Sequence, residues 1–238
     1  METTLHRQLK EYYCNDDCQI EVKLGRYRID VVDGDRLIEI QHSGLAAIRP
    51  KIADLIKSHK VDVIKPIIAR KKLIKLTRKN GTVQSARFSP RQGGFLDLID
   101  ELLYFTRVFP HRNLRLITPI VEIEEIRYPG HGKRRRKRAG DFVVKDRLLT
   151  KVQETHTYQV ASDLWNGLPK IKEPFDTGQL AEAMEIQRWQ AQRVAYVLRH
   201  TGCLNQVGKR GNSNLFELAE AAPKRKRSKA KKAVKSAA

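Results

Sequence analysis

The sequence predicts an α/β protein: a mixed sheet with flanking helices, followed by a smaller α+β module and a disordered basic tail. Three observations carry this reading. Residues 1–128 run in the order helix, three-strand meander, helix, strand, hairpin, helix, strand, which fits an α/β sandwich of mixed pairing better than a regular doubly wound sheet. From residue 175 the pattern changes to helix, turn, helix and β-hairpin. Finally, 47 Lys+Arg against 27 Asp+Glu give a formal charge of +20 and a pI near 10.1. That balance predicts a polyanionic partner, with nucleic acid ahead of an acidic membrane surface.

Residues 2–13 recur apolar at helical spacing through Leu5, Leu9, Tyr12 and Tyr13, with Thr3 and Thr4 supplying cap chemistry. Glu2 and His6 stand four apart and share a face of this helix. Cys18 to Leu24 reads as a strand, Gly25-Arg26 as a turn, and YRIDVV and RLIEIQ as a hairpin joined at Asp33-Gly34-Asp35. A two-residue turn sets Asp30 opposite Glu39, directly or diagonally, so that Asp30, Glu39 and Gln41 share one face. If the preceding turn also has two residues, Glu21 lies opposite Asp30 as a third carboxylate; the alternative is a partner for Arg28 or Lys23. Carboxylates among so many apolar neighbours are costly unless paired or metal-bound, and a hard divalent cation is their natural partner. The plain alternative is a wet sheet face.

Pro50 opens a helix over residues 50–60, VDVIKPIIA reads as a buried strand, and Asn80-Gly81 turns a hairpin over residues 71–89. An amphipathic helix follows at 95–109 and a strand at 114–128. The run Lys133, Arg134, Arg135, Arg136, Lys137, Arg138, set between Pro129-Gly130 and Ala139-Gly140, reads as a solvated loop that ends the first domain. Residues 129–174 are then a basic connecting region, either contacting phosphates or acting as a spacer. Residues 175–219 read as a winged helix for DNA. Arg188, Gln190, Gln192 and Arg193 lie on the exposed side of its recognition helix, and Lys209 and Arg210 at the wing tip. A helical module that packs on a protein is the alternative. Residues 220–238 are Lys/Arg-rich, with no acid after Glu220, and predict a disordered, phosphate-binding tail.

Cys14, Cys18 and Cys203 are an odd number and predict reduced thiols rather than a disulfide framework or a metal site. With no apolar run of transmembrane length and no signal-peptide core, the expectation is an intracellular protein without a membrane partner. Its place is cytoplasmic and nucleoid-associated, or nuclear in a eukaryote. A homodimer is left open.

Asp30, the hairpin, and Glu39-Ile40-Gln41 within that element order make residues 1–128 resemble the PD-(D/E)XK nuclease superfamily, the restriction-endonuclease-like fold. The form Glu39-Ile40-Gln41-x-Ser43 is similar to that of competence CoiA-like nucleases, and Glu2 is similar to the helix glutamate that many members place beside the metal. The resemblance implies hydrolysis of DNA phosphodiester bonds with Mg²⁺ or Mn²⁺, held by Asp30, Glu39, the Ile40 carbonyl and Glu2, with Glu21 and Ser43 auxiliary. Arg28-Ile29 stands where the family has its proline, and Gln41 where it has a lysine. Glutamine can orient water or a phosphate oxygen but carries no charge; Lys23 and Lys65 are lysines on neighbouring strands able to replace it. The alternative function is a catalytically inactive DNA-binding protein, a transcriptional regulator or nucleoid component, on a degenerate nuclease fold.

Overall fold

The computed structural model describes residues 3–15, 17–130, 141–166 and 168–219. Thr3 caps α1 (Thr4–Tyr12) through its hydroxyl. A meander of β1 (Gln19–Leu24), β2 (Tyr27–Asp33) and β3 (Arg36–Ile40) follows. Its register pairs Leu24 with Tyr27 and Asp33 with Arg36, so both turns have two residues. Gly25 and Gly34 take φ of 56° and 55°, a left-handed conformation that these turns require and glycine adopts without strain. The helix α2 (Arg49–Leu55), with Pro50 in its first turn, returns the chain so that β4 (Lys60–Ile64) lies parallel to β3.

After β5 (Ile67–Leu76), β6 (Val83–Phe88) and α3 (Phe95–Leu102) come two long strands, β7 (Leu114–Pro129) and β8 (Phe142–Tyr158). The eight strands form one mixed sheet. β7 gives one edge to β8 from Leu116 to Pro129, leaving a single edge for everything else. β4 takes its start, Val61 to Ile64 beside Leu114 to Ile117, and β5 its remainder, Ile67 to Lys75 beside Ile120 to Arg127. The expected strand over VDVIKPIIA is therefore one line broken at Lys65-Pro66, because Pro66 has no N–H for the ladder. β3 borders the first half of this line and β6 the second, and a gap separates their ends.

The expected linker over 129–174 is corrected: residues 142–158 are a strand of the main sheet, so that sheet extends well past residue 128. Most of β8 is exposed, and its charged residues hide the alternation that marks a half-buried strand. The hairpin turn expected at Asn80-Gly81 is also wider, closed by Thr77 N–H donating to the Thr82 carbonyl at 3.0 Å. The reduced-thiol expectation fails for two of the three cysteines. Cys18 N–H folds back onto the Asn15 carbonyl, the Cα atoms of Cys14 and Cys18 stand 5.5 Å apart, and a disulfide joins them. Cys203 is a buried free thiol, its pKa pushed up to about 11 by burial.

The C-terminal module holds α4 (Thr177–Ala183), α5 (Arg188–His200) and a hairpin of β9 (Leu204–Arg210) and β10 (Ser213–Leu218). Asp176 caps α4 by accepting from Gly178 and Gln179 N–H. Leu180, Val194, Leu198, Phe175 and Phe216 belong to the same buried cluster as Ile52, Leu98, Phe105 and Leu114. The module is thus packed onto one face of the sheet rather than tethered to it. A second cluster on the other face sets Leu5 and Leu9 of α1 against Val31, Ile38, Ile40, Val121 and Ile123.

Phe175 is fully buried between Trp165 and Phe216, with ring centroids 5.8 and 6.4 Å away. Phe175→Ala should cost about 3–5 kcal/mol. Because the core is shared, denaturant unfolding followed by circular dichroism and by Trp fluorescence should remain one coincident transition; two separated transitions would show that the module folds alone.

Candidate functional site

The ladder between β2 and β3 ends at Val31 and Ile38, one step short of Asp30 and Glu39. The two-residue turn sets these residues opposite each other by count, but here the strands part and each carboxylate reaches across to the partner backbone. Asp30 Oδ2 accepts from Ile40 N–H at 2.8 Å, and the Glu39 carboxylate accepts from Asp30 N–H. The expectation of a single shared face is corrected. Ile29 packs in the cluster beneath α2 and Val31 in the cluster beneath α1, so β2 turns over at Asp30.

Asp30 thereby meets α1: His6 Nε2 lies 3.2 Å and Lys10 Nζ 3.6 Å from its Oδ1. Burial pushes the Asp30 carboxyl upward, but hydrogen bonds from His6 and Ile40 N–H outweigh it and hold the pKa below the ordinary range. Glu21 lies opposite Asp30, between the pairs Val22–Ile29 and Ile20–Val31. Its charge is paired: Lys10 Nζ, 2.8 Å from Glu21, bridges the two carboxylates, and Arg28 also pairs with Glu21, the expected alternative.

Glu39 points instead to α2, where Lys51 Nζ lies 2.5 Å from Oε1. That oxygen is buried without a well-directed hydrogen bond, so the contact is an ion pair made off the lone-pair direction. Burial raises the Glu39 pKa to about 7 against the opposing pull of Lys51. Lys51 is the residue that the sequence reading missed. Its signal was its place in the first turn after Pro50, but only the crossover reveals that this turn ends over β3.

Gln41 and Lys65, one of the two proposed substitutes for a lysine, have other engagements. Gln41 Nε2 donates to Ser43 Oγ at 2.6 Å and to the Gly44 carbonyl at 2.9 Å, folding over its own loop. Lys65 is buried; its ammonium lies 2.5 Å from the Ser43 carbonyl and 2.9 Å from Glu101 Oε1, while Glu101 Oε2 accepts from Leu45 N–H. Lys65 is a strut for the loop after β3. A cleft of about 330 Å³ opens in the gap between the ends of β3 and β6, lined by His42, Lys65, Lys71, Arg91, Asp97 and Glu101 among others. Burial, then the charges of His6, Arg147 and Lys65, lower the His42 pKa.

Two carboxylates and nearby backbone carbonyls suit a hard divalent ion in kind. The buried Glu39 Oε1, which has no directed donor, is the point where such an ion would bind on displacing the Lys51 ammonium. Among the described residues no group of three His, Cys, Asp or Glu side chains is assembled for a metal. Glu2, the expected further ligand, lies outside the described residues.

Of the expected DNA contacts, Arg188 and Gln192 line a groove between α5 and the hairpin together with Tyr196 and Arg199, which the sequence reading passed over. Lys209 is exposed on the hairpin. Three others have partners within the protein. Arg193 faces α3, pairing with Asp100 at 2.8 Å; Gln190 caps its own helix at Gln187 N–H; Arg210 pairs with Asp176 at the start of α4. Helical spacing alone does not say which flank of α5 meets the sheet domain. Lys133 to Arg138 and the tail lie outside the described residues.

A family model described as a domain of unknown function, DUF8091, matches residues 3–159, ending where β8 ends. An uncharacterized protein of Treponema pallidum (strain Nichols) is 28% identical over 220 residues, covering 90% of this chain and 84% of that protein. No solved structure matches. No helix among the described residues is long and apolar enough to cross a membrane.

An acid whose folded pKa lies above its unfolded value loses stability as pH rises between the two, since the folded state then binds the extra proton. For Glu39 that window runs from the ordinary carboxylate range to about 7. In EDTA, Glu39→Gln should stabilise the protein by on the order of 2 kcal/mol at pH 8 and by little at pH 4, measured by urea unfolding. An equal effect at both pH values would contradict a buried, proton-binding Glu39.

Proposed function

The chain belongs to the DUF8091 family, and from the parted strands at Asp30 and Glu39 we propose that it is a metal-dependent DNA nuclease of the restriction-endonuclease-like, PD-(D/E)XK kind. The observation that carries this reading is the opposition of Asp30 on β2 to Glu39 on β3 where the strands part, with Lys51 of α2 paired to Glu39. The element order α1, β1 to β3, α2 and β4, with β4 parallel to β3, supports it.

In this reading Asp30 and Glu39, with the Ile40 carbonyl, hold Mg²⁺ or Mn²⁺. The ion, when bound, polarises the phosphate and lowers the pKa of an attacking water. Lys51 supplies from α2 the positive charge that Gln41 cannot, and Gln41 fixes the Ser43–Gly44 loop at the mouth of the cleft. His6 and Lys10 keep Asp30 ionised, while Glu39 sheds its proton as it takes the cation. The C-terminal module acts as a winged helix, presenting Arg188, Gln192, Arg199 and Lys209 to DNA.

The second reading, an inactive DNA-binding protein, is favoured by the ammonium and imidazole groups already seated on both carboxylates. One experiment separates the two. With Mn²⁺ or Mg²⁺ the protein should cut at least one of a panel of duplex, single-stranded and branched DNAs. Asp30→Ala and Glu39→Ala should abolish cutting, and Lys51→Met should slow it by roughly 100-fold or more, all with DNA affinity in EDTA within about threefold of the parent. Mn²⁺ should also raise the melting temperature of the parent and not that of Asp30→Ala. Equal cutting by parent and variants, or no cutting together with unchanged affinity in EDTA, sinks the nuclease reading.

A further inference from the structure

Residues 67–93 carry eight Lys or Arg and no Asp or Glu. They form β5, β6 and the start of the following loop, an arm on which every residue of β6 is exposed. Register fixes which side chains share a face. Leu73 pairs with Arg87 on β6 and Glu125 on β7, Lys75 pairs with Arg127, and Glu125 pairs with Arg147 on β8. Lys71, two residues before Leu73, stands on the same face.

Five cations therefore share a face with one carboxylate. Glu125 is buried and takes Lys71 at 3.1 Å, Arg127 at 2.7 Å and Arg147 at 3.0 Å. Lys75 and Arg87 are exposed and make no ion pair with a described residue, and neither do Arg78 and Lys79 at the tip. The face is strongly positive after its internal pairing is counted. It also leads to the cleft, since Lys71 lines it together with His42, whose ring lies 5.9 Å from that of His6, the imidazole seated on Asp30.

We propose that this face is a docking surface for the phosphate backbone of duplex DNA, with Lys75 and Arg87 making direct phosphate contacts and Lys71, Arg127 and Arg147 extending the track to the cleft. Duplex is favoured over single strand because the exposed ring on this face, Phe142, is not open for stacking. Arg127 covers it at 3.9 Å, whereas single-strand binders present bare aromatic platforms. The spacing suits a rod of charge: cations two residues apart on a strand stand about 7 Å apart along it. The surface lies apart from the α5 groove and stands whether or not Asp30 and Glu39 support cutting.

The test uses the full chain in EDTA, with fluorescence anisotropy of a labelled duplex titrated between 50 and 300 mM salt, a range over which phosphate contacts give a measurable slope of about −0.9 each. Lys75→Gln/Arg87→Gln should reduce the log–log salt slope by about 2 and weaken binding roughly 60-fold near 0.1 M salt, with an unchanged circular dichroism spectrum. Lys172→Gln, an exposed lysine elsewhere, should change neither by as much. A double variant that matches Lys172→Gln, tighter binding of a single strand than of the duplex, or no binding of duplex DNA by the parent would each overturn the proposal. Because no metal is present, loss of cleavage in the catalytic-site variants leaves this result untouched.

Discussion

A strand has two edges, and the way β7 divides its own sets the architecture. One edge is consumed by β8, so β4 and β5 must share the other in succession, with Pro66 marking the join. β3 and β6 then fall in line with each other beyond them, and their ends cannot meet. The cleft is the space left by that failure to meet. Lys65, at the join, is pulled between the Ser43 carbonyl and Glu101, which fastens the loop after β3 to α3 and keeps the space open.

The second constraint is the cost of a buried carboxylate, which the sheet meets by surrounding each with cations. Asp62 is gripped by Arg36 and Arg115, and Glu125 by Lys71, Arg127 and Arg147. Each of these acids has two or more basic partners and a depressed pKa once those partners offset burial. Glu39 differs, with one lysine and a raised pKa. An under-compensated acid beside a well-compensated Asp30 is the pattern expected where charge compensation changes during function rather than where it only holds the fold.

Local signals made much of this legible in the sequence. Gly25 and Gly34 announced the tight turns, Pro50 the helix start, and the order of apolar runs the succession of elements through β7. The opposition of Asp30 to Glu39 also followed from turn length alone. Their faces did not, because the reversal at Asp30 depends on strands that part and on α1 packing against one of them. Lys51 stayed hidden since its contact is made through a crossover, and β8 since an exposed, charged strand lacks the apolar alternation that identifies strands. Arg193 and Arg210 looked like free cations because Asp100 and Asp176, their partners, are distant in sequence.

The shared core beneath Phe175 and Leu198 bears on geometry more than on stability. A domain on a loose tether samples many positions, and its contribution to binding depends on the effective concentration that the tether allows. Here apolar packing and the Arg193–Asp100 pair hold α5 against α3, so the groove beside α5 and the cleft beside β3 keep a set separation. A ligand spanning both must match that spacing or bend to it, which makes the shape of the ligand, as much as its charge, a criterion of recognition.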